Sequence, residues 1–203
     1  MVFKKKSKLA AEAGPEERAD FKETQATLKI DDLIFIDEFG INTAMTRTRA
    51  RAPMGQRAEV VEPFKRGSNF SVISAMGRQG VCASMMIEGA VDSQVFAAYV
   101  DHLLVPSLRA GNIVLLDNVK FHHSERAIKL IEATGATVIH LPAYSPDFNP
   151  IEEGISKIKE TLRSLKARTK RKLYNALKKA IAMVTADDIR EWFEHCGYVS
   201  SLN

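Results

Sequence analysis

The sequence predicts an α/β protein, a mixed sheet flanked by helices with extra helices at its C-terminal end. Three observations carry that expectation. Apolar runs of strand length follow one another up to residue 89, where a wholly parallel sheet would alternate strands with helices. From residue 92 to 141 helical and strand periodicities alternate, and from residue 151 onward only helical spacing remains.

Residues 1–29 are charged and broken at Gly14-Pro15, which predicts an N-terminal arm, helical at most after Pro15 and outside the core. "DLIFIDE" (32–38) is an apolar run closed by acids and predicts a buried strand that ends at Asp37. "AMTRTRAR" (44–51) partly alternates and reads as a further strand. "FSVISAMG" (70–77) and "VCASMMIEG" (81–89) read as a strand pair joined by a tight turn at Gly77-Arg78-Gln79-Gly80. In residues 92–108 Val95, Phe96, Tyr99, Val100, Leu103 and Leu104 recur at helical spacing, with Ser93 as N-cap. "NIVLLD" (112–117) returns to strand. "SERAIKLIEATG" (124–135) predicts a helix stopped by Gly135, and "TVIHL" (137–141) another strand. Ile151, Ile155, Ile158, Leu162 and Leu165 mark a long helix. Two shorter helices follow at about 171–184 and 187–196, with Thr185 and Asp188 spaced as a helix start. The expected division is an arm at 1–29, a main domain at 30–168 and a helical extension at 169–203.

Composition bounds the function. With 203 residues and 45% hydrophobic content the chain can bury one substantial core. No stretch approaches the roughly 18 apolar residues of a membrane span, and the N-terminus lacks the apolar segment of a secretory signal. Cys82 and Cys196 stand alone, which suits a reducing cytoplasm and argues against a disulfide framework or zinc site. The net charge is +4, unevenly spread. Eight of the residues from Lys157 to Lys172 are basic against one acid, and Arg47, Arg49, Arg51 and Arg57 form a second cluster. Such clusters supply salt-dependent attraction to nucleic-acid phosphates; a solvated helix face fits the same charges.

Three acids stand where apolar elements stop: Asp37 after "LIFI", Asp117 after "NIVLL", and a glutamate pair opening the helix after "SPDFNP". Each has an ordinary local reading. Asp37 and Asp117 suit turns, and Asn149, Pro150 and Glu152 make a near capping box. Together they fall at the mouth of one sheet. Converging carboxylates raise one another's pKa values, and divalent cations relieve that cost. Mg²⁺ takes oxygen ligands, and two ions roughly 3.5–4 Å apart support in-line phosphoryl displacement. With Ile151 set at 0° on a helix of about 100° per residue, Glu152 falls near 100°, beside the buried stripe, and Glu153 near 200°, facing away. Lys159 and Arg163 share Glu152's side, which makes them candidate phosphate contacts.

The segments "FIDEFG", "LLDNVKFHHS" and "LPAYSPDFNPIE" resemble the three motifs of DDE transposases of the mariner-type superfamily, in its bacterial insertion-sequence branch. The 34 residues between Asp117 and Glu152 match the interval expected from that resemblance. "RAPMGQR" (51–57) is similar to a further family segment, with Met54 where a basic residue is expected. The likeness covers roughly residues 30–165.

The resemblance implies a ribonuclease H-like fold and a metal-binding catalytic triad of Asp37, Asp117 and Glu152, with two Mg²⁺ (or Mn²⁺) ions. It implies cleavage of DNA at transposon ends and transfer of the freed 3′-OH into target DNA by a homodimer. The setting it implies is the prokaryotic cytoplasm, at the nucleoid. Tyr144, Pro146 and Pro150 are expected to stiffen the loop that aims Glu152. Asn118, His122 and His123 lie near the acids in sequence; Asn118 and His122 are candidates for supporting them, and the histidines also suit a surface turn. Candidate DNA contacts are Arg49, Arg51, Arg57, Lys159, Arg163 and Lys166. The helix-turn-helix region that reads transposon ends in such enzymes is not recognisable before residue 32, so a separate or fused region is expected to supply it. Two alternatives share these residues: a metal-dependent nuclease without strand transfer, and a non-catalytic DNA-binding relic.

Overall fold

The computed structural model describes residues 14–59 and 67–199. The first thirteen residues of the expected arm and the last four of the expected extension lie outside the described residues.

One five-stranded mixed sheet runs in the order β3-β2-β1-β4-β5. Its strands are β1 (Leu33–Asn42), β2 (Asn69–Gly77), β3 (Gly80–Glu88), β4 (Ile113–Leu116) and β5 (Thr137–His140). The first three form an antiparallel meander, while β4 and β5 run parallel to β1. Central β1 is buried on both faces, which explains its nearly unbroken apolar sequence. Its side chains alternate between two cores. Leu33, Phe35, Phe39 and Ile41 face one layer, Ile34 and Ile36 the other.

The second layer holds α2 (Ser93–Tyr99) and α3 (Glu125–Glu132), whose Phe96, Tyr99, Ala127 and Ile131 pack on Ile34 and Ile36. The first holds α4 (Ile151–Leu165), α5 (Lys170–Ala182) and α6 (Ala186–His195). Gly154 permits the close approach of α4 to the sheet and to α6. A Cβ there would stand 3.3 Å from the Met76 sulfur and 3.2 Å from the Trp192 ring. The Thr185–Asp188 spacing is a capping box at the start of α6, as expected.

Several expectations are corrected. Residues 44–51 form no strand; Arg168 donates to the carbonyls of Thr43 (3.2 Å) and Met45 (2.9 Å), so side-chain bonds replace a ladder there. Asp92, not Ser93, caps α2, accepting from the amides of Gln94 and Val95 at 2.9 Å each. The expected long helix over 92–108 loosens after Tyr99 into a π turn (Val100–Leu104) and a 3-10 turn (Val105–Ser107). Pro106 explains the break, because it has no N–H to give the helical carbonyl four residues back. The arm expected outside the core contains α1 (Pro15–Thr27), which docks on the α4 layer. Phe21 is 6% exposed and its ring lies 5.0 Å from that of Phe148. With one apolar anchor in thirteen residues, α1 carries no amphipathic signal to read.

Candidate active site

Asp37 does not end its strand. The β1–β4 register stops at the pair Ile36–Leu116, while β2 stays paired with β1 out to Asn42. Past Ile36, β1 loses its neighbour on one side only. The next residue on each parallel strand is an acid, Asp37 on one and Asp117 on the other. Neighbouring strands lie about 4.8 Å apart, so the register sets the two acids side by side. They share the parity of Phe35 and Leu115, and both face the α4 layer. The carboxyl end of parallel strands is where open α/β sheets place ligands.

Asp37 is largely enclosed. Its Oδ1 accepts from the Glu38 amide (2.7 Å) and its Oδ2 from Asn149 Nδ2 (3.3 Å). Burial, then the negative charge of Asp117, push its pKa up to about 7 against the Glu38 bond, with Glu152 adding to the rise. Asp117 Oδ1 accepts from His122 Nδ1 at 2.5 Å. His122 is fully buried between the rings of Phe96 (4.6 Å) and Phe121 (4.5 Å). Its other ring nitrogen, Nε2, is buried without a hydrogen-bond partner. His122 thus bonds the Asp117 carboxylate from a buried position and is not the surface turn residue that the sequence also allowed. Asn118 turns to His123, whose Nε2 is 2.6 Å from its Oδ1, and the His123 ring stacks on His140 at 4.3 Å.

Glu152 occupies the first turn of α4. Burial raises its pKa, Lys159 opposes the rise and Asp117 adds to it. Glu153 looks the other way, with Oε1 2.6 Å from His195 Nδ1 on α6. The helical wheel had separated the two glutamates in this sense. The expected capping by Asn149 is corrected: Pro150 is the N-cap residue and no side chain caps α4. Asn149 keeps only its backbone role, its carbonyl accepting from the Glu152 amide at 3.1 Å. Its side chain, 3% exposed, serves Asp37 instead, a role that the local helix-start pattern concealed.

A cleft of about 470 Å³ opens at these groups, lined among others by Asp117, Asn118, Val119, Tyr144, Asn149 and Glu152. Tyr144 stands at its wall 62% exposed with φ +54, an unusual backbone for a bulky side chain. Among the described residues no three His, Cys, Asp or Glu side chains are gathered tightly enough to hold a metal ion by themselves. An open set of two adjacent carboxylates with a third nearby does suit Mg²⁺ or Mn²⁺, which complete their coordination with water and substrate oxygens. The raised Asp37 and Glu152 are the electrostatic cost that a cation would relieve.

The six cations proposed for DNA contact do not form one patch. Arg49 and Arg51, with Arg47, face Arg163 and Lys157 of α4 across a groove of about 1150 Å³. Lys159 sits apart, 5.6 Å over the Phe39 ring and close enough to influence Glu152. Lys166 lies with Lys172 and Lys179 at a separate hollow beside α5, and Arg57 is exposed and lines neither the groove nor this hollow.

Against known proteins, the model of the family described as DDE superfamily endonuclease matches residues 32–174. The chain belongs to this family. The matched span contains all three acids. No curated protein sequence matches the chain. Among solved structures, this DDE superfamily chain is similar to the catalytic domain of Mos1 mariner transposase, with TM-score 0.68, 14% identity, and 94% and 93% of the two chains covered. It is similar to the Mos1 paired-end complex with Mg (TM-score 0.73, 16% identity, 97% and 65% covered) and to the Mos1 strand transfer complex (0.71, 15%, 97% and 63%). At these identities the likeness shows the fold, which is ribonuclease H-like. The chain spans less than two thirds of the Mos1 chains in those complexes.

Proposed function

We propose that this chain is the catalytic core of a transposase of the bacterial insertion-sequence branch, and that Asp37, Asp117 and Glu152 are its catalytic and metal-binding residues. The observation that carries the reading is the strand register, which sets Asp37 beside Asp117 on the face that α4 covers, with Glu152 at that helix's start. Two divalent ions, Mg²⁺ or Mn²⁺, would supply Lewis-acid stabilisation of the attacking and leaving oxygens at phosphorus. The protein's part is to hold the acids in place. His122 fixes the Asp117 carboxylate, and Asn149 and the Glu38 amide fix that of Asp37.

In the proposed reaction water attacks a phosphodiester at the transposon end, and the bond to the 3′ oxygen breaks to leave a 3′-OH. That hydroxyl then attacks a target phosphodiester, joining end to target and releasing the target's own 3′ oxygen. Arg49, Arg51 and Arg163 are proposed to hold DNA phosphates along the groove beside α4, with Lys159 nearer the acids. Arg57 and Lys166 are proposed as more distant contacts. The active assembly is proposed to be a homodimer at the nucleoid, with end recognition supplied by a helix-turn-helix region. Residues 30–168 are proposed as the catalytic domain, with 169–203 as its helical extension. Joining of a pre-cut, 3′-hydroxyl-ended duplex to a supercoiled plasmid tests this. Joined product dependent on Mg²⁺ or Mn²⁺ is expected. Hydrolytic nicking without joining would reduce the protein to a nuclease, and no reaction by a folded dimer bearing an end-reading region would contradict catalysis.

A further inference from the structure

The turn that precedes α4 is gripped from outside the matched family span, by α1. Arg18 Nη1 donates to Ser145 Oγ (2.7 Å) and Asp147 Oδ1 (2.9 Å), and Nη2 donates to Asp147 Oδ2 (2.6 Å). The guanidinium also lies 4.6 Å over the Phe148 ring. This two-pronged fork fixes a plane as well as a distance. Arg18 has one end of the contact nearly buried (side chain 12% exposed), and Asp147 remains half in solvent at 51%. The pair shifts both groups accordingly. The bond to Arg18 lowers the Asp147 carboxyl and the bond to Asp147 raises the guanidinium.

The gripped turn leads directly to the acids. The Phe148 amide donates to the Ser145 carbonyl (3.1 Å), the Asn149 amide to Pro146 (2.9 Å), and the Glu152 amide to Asn149 (3.1 Å). Asn149 reaches Asp37. From the far side Tyr198 Oη donates to the Phe148 carbonyl at 2.8 Å. The helix bearing Arg18 is itself anchored, by Phe21 in the core and by Gln25 Nε2 donating to the Cys196 carbonyl at 2.8 Å.

We propose that Arg18 is a positioning residue for the catalytic acids: it locks the Ser145–Phe148 turn and thereby sets the Asn149 amide on Asp37 and the angle at which α4 presents Glu152. This rests on the catalytic reading of those acids. Magnitudes separate the role from simple stabilisation. An ion pair with one partner half in solvent adds little to folding, whereas a small misplacement of a catalytic group lowers rate steeply. Arg18 therefore matters more to geometry than to stability.

Amide hydrogen exchange on the full chain tests the proposal without needing metal or DNA. In Arg18→Ala, amides across 145–153 are expected to exchange about tenfold faster or more, while those of β1 and β4 keep their protection. Arg18→Lys, which keeps the charge but loses the fork, is expected between the two, and Asp147→Asn serves should the alanine variant fold poorly. Mn²⁺ affinity, read from the paramagnetic signal of the free ion, is expected to fall several-fold in Arg18→Ala. Where the wild type cleaves DNA, kcat falls with KM for DNA held. Unchanged protection at 145–153, or protection lost equally across β1 and β4, overturns the proposal. A wild-type chain that shows the exchange pattern but never cleaves or joins DNA would sink the transposase reading and leave the mechanical link intact.

Discussion

Asp37 shows in one side chain how the site strains against the fold. Its pKa in the folded chain is pushed up to about 7, against an ordinary value of 3.8. The folded state thus holds a proton that the unfolded chain gives up. The contribution of this group to the stability of the metal-free protein is greatest below about pH 4 and is lost as pH rises through 7, by on the order of 2–4 kcal/mol. Asp37→Asn is expected to flatten that decline and to raise Tm at pH 8 while abolishing activity; a lower Tm at pH 8 would contradict the electrostatic account. His122 offers a second test. His122→Phe keeps the aromatic packing on Phe96 and Phe121 but removes the donor to Asp117. About a 10–100-fold loss of metal affinity or cleavage is expected, at a stability cost of about 1 kcal/mol. Equal metal affinity in the two proteins would show that the bond does not tune the site.

Among the elements, α4 decides whether the acids meet, because it alone carries Glu152 onto the face shared by Asp37 and Asp117. Its seating depends on Gly154. Gly154→Val would drive methyls into Met76 and Trp192, with an expected cost of about 1–3 kcal/mol. Because the helix must lift to make room, activity at a temperature well below the new Tm is expected to fall as well; full activity there would show that α4 tolerates the shift. The neighbouring α6 is held by its cap. Thr185→Ala is expected to cost about 1 kcal/mol in denaturant unfolding. Its box partner Asp188 is lowered to about 2, first by its bond to Lys157 and then by Thr185. That contribution is present above the ordinary carboxylate value and is lost as pH falls toward 2. What the sequence made legible at this scale follows from periodicity. The strand run of β1, the stripe of α4 and the box of α6 are local patterns. The docking of α1 by Phe21, the bond from Asn149 to Asp37 and the continuation of β1 past its acid depend on partners distant in sequence. The arginine-rich segment alternates like a strand but joins no strand ladder among the described residues, so its pattern misled.

For the whole molecule, a mixed sheet whose β4 stops short while β1 continues creates a gap at the carboxyl end of the parallel strands. The acids fill that gap from two strands and one helix, and the arginine groove lies along the same helix. Asp37, Asp117 and Glu152 are proposed to act as one metal-dependent centre for DNA. The most direct test compares nicking of labelled duplex DNA carrying transposon ends by the wild type and by Asp37→Asn, Asp117→Asn, Glu152→Gln and Glu153→Gln, with Mg²⁺, Mn²⁺ or EDTA, the end-reading region being supplied. Metal-dependent activity lost in the first three variants and kept in Glu153→Gln is the predicted result. Activity that survives EDTA, or that Glu153→Gln removes as fully as Glu152→Gln, would contradict it.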